Sequence, residues 1–115
     1  MSEAAVADVL TLPRRLAIQI LHEAQVAQPA SIRGVVLARD GEPRAFRSDG
    51  AADGGQEIWA RLWSHPDRSA EPGADELDAG CLSLVVSLNT KGVLEMRAWR
   101  LDDGRPVEQV LKVRD

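Results

Sequence analysis

His65 stands in the tripeptide Ser64-His65-Pro66, and carboxylates follow it at Glu71, Asp75, Glu76 and Asp78. An imidazole with acids close by is the set of residue types that binds zinc or moves protons. The supply is thin, because His22 is the only other histidine of the chain. Cys81 is the single cysteine, so no disulfide forms within the chain. It stands at the entrance to an apolar strand and reads as a small buried hydrophobe, with nothing to orient it against His65 as a nucleophile. Gly54-Gly55 is not a phosphate loop, since no Lys-Ser/Thr follows it. Each of these residues also has a plainer role. Asp75, Glu76 and Asp78 suit the first turn of a short helix, and His65 a partly exposed position beside a proline. His22 sits at the edge of a helix face. Trp59, Trp63 and Trp99 carry large apolar area, which places at least one of them in the core.

The elements that must position these groups follow from spacing. Leu16, Ile20, Ala24 and Ala27 recur at helical intervals, which predicts a helix from Pro13 to Gln28 that Pro29 ends. Ile32 to Ala38 reads as a buried strand, Asp40-Gly41 as a hairpin turn, and Arg44 to Arg47 as the return strand. The acid- and glycine-rich stretch from Ser48 to Gly55 is a loop. Glu57 to Trp63 alternates Ile58, Ala60 and Leu62 against Trp59, Arg61 and Trp63, as in a strand with two different faces. Ser64 to Gly73 is a loop, and Ala74 to Gly80 has the acids of a two-turn helix. Leu82 to Leu88, Val93 to Leu101 and Val107 to Val113 form an antiparallel meander with turns at Asn89-Gly92 and Asp102-Gly104. Residues 1–11 read as a flexible N-terminus and residues 12–115 as one domain.

Composition sets the outer limits. The 115 residues carry a net charge of −4, with 44% hydrophobic and 28% charged side chains, and the pI is near 5.1. That balance belongs to a globular chain. It argues against nucleic acid as a partner, and no run reaches the roughly 20 apolar residues of a membrane span. One cysteine and no basic leader point to the cytoplasm.

The spacing around His65 resembles the zinc loop of the JAMM (JAB/MPN) metalloproteases. That family carries His-x-His-Pro, a short spacer and Pro-Ser-x-x-Asp. Here Ser64-His65-Pro66 and Glu71-Pro72-Gly73-Ala74-Asp75-Glu76 align without gaps. Leu12-Pro13-Arg14, Gly34-Val35-Val36-Leu37 and the stretch from Val86 to Arg97 are similar to small bacterial members. The resemblance implies an α/β fold of the JAB/MPN, cytidine-deaminase-like type. In that type a curved mixed sheet is flanked by helices and ends in the antiparallel meander.

It also implies a site that has lost its metal. In the family two histidines and an aspartate hold zinc, a glutamate acts as base through the bound water, and a serine supports the reacting oxygen. The corresponding positions are Trp63, His65 and Glu76 for the ligands, Gly73 for the serine, and a place near Ser31 for the base. Only His65 matches; Asp75 serves as the carboxylate only if the loop slips by one residue. The expectation is therefore a catalytically inactive domain with no cofactor. It binds a protein: a ubiquitin-like or sulfur-carrier tail, an MPN paralogue, or a second copy of itself. The alternative is a residual zinc metallopeptidase using His65 with Asp75 or Glu76.

Overall fold

Leu12, Leu16, Ile20, Leu62 and Leu84, together with Val36 and Val86, are wholly withdrawn from solvent and share one core. The elements that bring them together were taken from a computed structural model, which describes residues 9–48, 57–73, 76–77, 81–88 and 95–114. In chain order these are strand β1 (Val9–Pro13), helix α1 (Arg14–Ala27), β2 (Arg33–Arg39), β3 (Glu42–Arg47), β4 (Glu57–His65), β5 (Leu82–Ser87), β6 (Glu95–Asp102) and β7 (Arg105–Arg114).

Helix α1 begins where the stripe of Leu16, Ala17, Ile20 and Ala24 begins, and these four residues are its buried face. Pro13 takes the cap position without a side-chain hydrogen bond, and neither end carries a charge that suits the helix dipole. A missing cap costs about 1 kcal/mol. Burying each of Leu16 and Ile20 contributes about 1.5–3 kcal/mol, so packing rather than local capping holds the helix. Two tight turns use the same chemistry. Asp40-Gly41 joins β2 to β3, Asp103-Gly104 joins β6 to β7, and all four residues have positive φ, as the common two-residue hairpin turn requires.

The sheet order is β1-β7-β6-β5-β4-β2-β3. β1 is parallel to β7 and β4 is parallel to β5, while the other neighbours are antiparallel. This corrects the helix-flanked α/β arrangement expected from the sequence. Among the described residues α1 is the single helix, and the sheet curves until its edge strands β1 and β3 meet again. A sheet that nearly closes gives its apolar face an interior of its own, so one helix suffices to fill it. The expected helix at 74–80 and the turn at 89–92 fall mostly or wholly outside the described residues, as does most of the 48–55 loop.

Two further expectations give way. Val9 to Thr11, assigned to a loose N-terminus, are in β1 and pair with Val110 to Lys112. The alternation along β4 breaks at its start. Leu37 pairs with Ile58 and Val36 with Ala60, so Trp59 is one residue extra. Such a bulge reverses the face of what precedes it. Trp59 accordingly packs on the core and Ile58 is exposed.

Candidate functional site

β5 lies at the centre of the sheet and is buried along its whole length, two serines included. Leu82, Leu84 and Val86 face the main core. Ser83, Val85 and Ser87 face the other side, where the crossover from β4 to β5 lies over the sheet. Four sheet side chains bond to carbonyls of that crossover. Ser87 Oγ donates to Arg68 O at 2.6 Å, His65 Nδ1 to Ser69 O at 2.8 Å, Trp99 Nε1 to Ala70 O at 3.0 Å, and Ser83 Oγ to Glu76 O at 2.9 Å. Three consecutive carbonyls are thus held by three different strands. A second small apolar cluster of Ala70, Val85 and Trp99, with Trp63 and Leu77 against it, fills the space beneath.

His65 is the last residue of β4 and pairs in register with Ser87, the last of β5. Its side chain is 3% exposed. Because a carbonyl only accepts, the Ser69 bond places a proton on Nδ1. Nε2 lies 2.8 Å and 3.1 Å from the two carboxylate oxygens of Glu76, and Arg68 Nη2 lies 3.0 Å from the same nitrogen. A protonated Nε2 donates to Glu76; an unprotonated one accepts from Arg68. Either way the group has a partner. Arg68 also stands 3.7 Å from Oε2 of Glu76, completing a cluster of imidazole, carboxylate and guanidinium.

Glu76 is held by its own turn. Gly73 N donates to Oε1 at 2.9 Å while Glu76 N donates to Gly73 O at 3.0 Å. The glutamate side chain reaches back three residues to a backbone amide, as in one half of a capping box, and a backbone bond closes the turn. One carboxylate therefore serves both this turn and His65.

The remaining predicted positions divide. Trp63 is on the same face of β4 as His65 but packs into the second cluster, with Arg33 over its ring at 5.7 Å. Gly73 touches Glu76 as described. Ser31 is exposed and precedes Ile32, which faces Ser64 through two bonds, Ser64 N to Ile32 O and Ile32 N to Ser64 Oγ. One step further along that pairing sets Ser31 opposite His65. The residue carried over for the base is thus beside the site and has no carboxylate. Asp75 lies outside the described residues. His22 is exposed and Cys81 half-buried. Arg68, Ser83, Ser87 and Trp99 were missed by sequence reasoning. The only signal for the two serines was their place in an otherwise apolar run.

The chain was compared with known proteins at this point. No protein-family model and no curated protein matches its sequence. Solved structures do match its fold. A protein from Desulfitobacterium hafniense, DSY2949, is similar over 94% of each chain, with a TM-score of 0.77 and 17% identity. AF2198, a JAB1/MPN domain protein from Archaeoglobus fulgidus, is similar over 89% of this chain and 97% of its own, with a TM-score of 0.63 and 17% identity. A protein from Salinibacter ruber covers 90% and 91%, with a TM-score of 0.58 and 20% identity. The chain therefore has a JAB/MPN-like fold, in a form whose described part holds a single helix.

The zinc that the family resemblance implies does not fit the described residues. Among the described residues no three His, Cys, Asp or Glu side chains converge. His65 and Glu76 supply two donors, and Trp63 has no lone pair for a metal. Two ligands on one tetrahedral zinc stand about 3.3 Å apart, from bonds of about 2.0–2.1 Å. Nε2 and Oε1 are 2.8 Å apart, in direct contact. Arg68 already places a positive charge beside both. No described helix is long and apolar enough to cross a membrane.

Proposed function

We propose that this chain is a metal-free JAB/MPN-like domain that binds a protein and does not hydrolyse one. The observation that carries this reading is the cluster of His65, Glu76 and Arg68. A side-chain cation stands where the family would need a metal, and the carboxylate is spent on the imidazole and on the Gly73 amide. The donor set supports loss of catalysis, since water activation needs a metal with an open position. The partner is an extended polypeptide, such as the tail of a ubiquitin-like or sulfur-carrier protein, or a paralogous MPN subunit. Extended tails add to sheet edges through main-chain pairing, and among the described strands β3 is an edge whose ladder partner is β2.

The competing reading, a residual zinc metallopeptidase, rests on the orientation of His65. Its Nδ1 is bonded to a carbonyl, as in zinc-binding histidines, and its Nε2 faces a carboxylate. That reading requires zinc binding that depends on His65; the metal-free reading requires none. Metal content and zinc titration of the purified protein, beside His65→Ala, separate them.

A further inference from the structure

A recess of about 290 Å³ opens on β2 and β4 beside Trp63, and neither His65 nor Glu76 lines it. Its walls include Arg33, Arg61, Trp63 and Ser48, and no acidic side chain lines it among the described residues. Arg33 pairs with Trp63 and Arg61 with Val35 across the two strands, so alternate rungs of one ladder, which share a face, bring both side chains to one opening. In a chain of net charge −4, this gathers charge against the overall sign. Arg33 lies over the Trp63 ring, a placement that suits the flat, weakly hydrated guanidinium.

Two other features make this a formed pocket. Gly34 is part of its lining, and a Cβ there would meet the carbonyl oxygen of Arg47 at 2.3 Å. Only a residue without a side chain therefore lets β3 lie this close to β2 at the edge of the recess. The indole Nε1 of Trp63 is buried and finds no acceptor among the described residues. A buried donor left without a partner costs about 1–3 kcal/mol, and an acceptor that enters the recess as the ring turns removes that cost.

The geometry points to a binding site for a small oxyanion, a carboxylate or a phosphate carried on a peptide or other small group. Arginine forks match both in a two-pronged hydrogen-bonding arrangement, and Ser48 adds a hydroxyl. This site is distinct from the His65 cluster and holds whether or not zinc binds there.

The test follows the indole N–H resonance of Trp63, assigned with Trp63→Phe, during titration with inorganic phosphate. Acetyl-glycyl-glycine and its amide form the second arm. Saturable shifts are expected with phosphate, with the free carboxylate, or with both, and not with the amide. Phosphate alone assigns a phosphorylated ligand and the carboxylate alone a chain terminus. Arg33→Ala and Arg61→Ala each weaken binding about tenfold, with the amide spectrum reporting that the fold is kept. Arg33→Lys retains charge but not the fork, and falls between. The proposal is overturned if neither oxyanion gives a saturable shift, or if affinity is unchanged in both alanine variants.

Discussion

Nε2 of His65 and Oε1 of Glu76 lie 2.8 Å apart although eleven residues separate them in the chain. β4 delivers the imidazole, and a turn closed on Gly73 delivers the carboxylate. Each partner is fixed from behind, the histidine by Ser69 O and the glutamate by Gly73 N. The pair therefore acts as a structural tie between the crossover and the sheet.

Breaking that tie is costly because both partners are withdrawn from water, with 3% and 12% of their side chains exposed. Glu76→Ala is expected to lower the unfolding free energy by about 2–4 kcal/mol, since it strands an imidazole and an amide. His65→Ala falls in the same range. Combined in a double-mutant cycle, the two couple by about 1–3 kcal/mol. Urea denaturation of the four proteins measures this, and simple additivity would show that the contact is unimportant.

The bonds from Ser87 and Trp99 predict a local effect. Trp99→Phe keeps most of the ring and removes the bond to Ala70 O, at a cost of about 1 kcal/mol. Faster amide exchange is expected in the stretch from Asp67 to Gly73, with little change in β2 and β3. Uniform acceleration over the whole chain would contradict a local anchor.

The same anchors show how far the sequence was legible. Helix α1 and the Asp40-Gly41 hairpin were readable because each rests on local spacing, the stripe from Leu16 to Ala24 and the positive φ of the turn. His65, the one residue that matches the zinc loop of the resembled family, was singled out by its neighbours Ser64 and Pro66, and it stands at the centre of the buried cluster. β1 escaped notice because its five residues follow an alanine-rich start and are held by β7, from Val110 to Arg114 at the far end of the chain. The exchange of Ile58 and Trp59 depends on a bulge across from β2, which no pattern within β4 reveals. Arg68 has no motif; its role arises only when the crossover folds back over β4 and β5. The closure of the sheet is likewise a property of all strands together, so the expected flanking helices were an extrapolation from the family.

Close approach at Gly34 gives a contrast with Gly41. Gly34→Ala places a methyl 2.3 Å from Arg47 O, and a loss of about 1–3 kcal/mol is expected. Gly41 has open space around it and a φ of +80°, so Gly41→Ala carries backbone strain alone, about 1–2 kcal/mol. Thermal melts report both losses. The oxyanion titration distinguishes them further, since displacing β3 at Gly34 disturbs the lining of the recess and Gly41 is no part of it.

Acid should weaken one contact between β6 and β7. Arg97 holds Glu108 through two hydrogen bonds of 2.6 and 2.8 Å, which keep the Glu108 carboxyl below the usual glutamate range. A carboxylate depressed in the folded state contributes stability above its unfolded pKa and loses it as pH falls through the folded one. Wild-type stability should decline below about pH 4.5 more steeply than that of Glu108→Gln. The pair is partly exposed, so solvent screening keeps the difference to within about 1 kcal/mol. Parallel pH profiles would contradict the role of this ion pair.

The most direct test of the central claim is the zinc content and zinc titration of the purified wild-type protein, with His65→Ala measured alongside. Direct pairing of His65 with Glu76, under the Arg68 guanidinium, predicts no stoichiometric zinc and no difference between the two proteins. Near-stoichiometric zinc that disappears in His65→Ala would contradict the metal-free reading and restore the hydrolase.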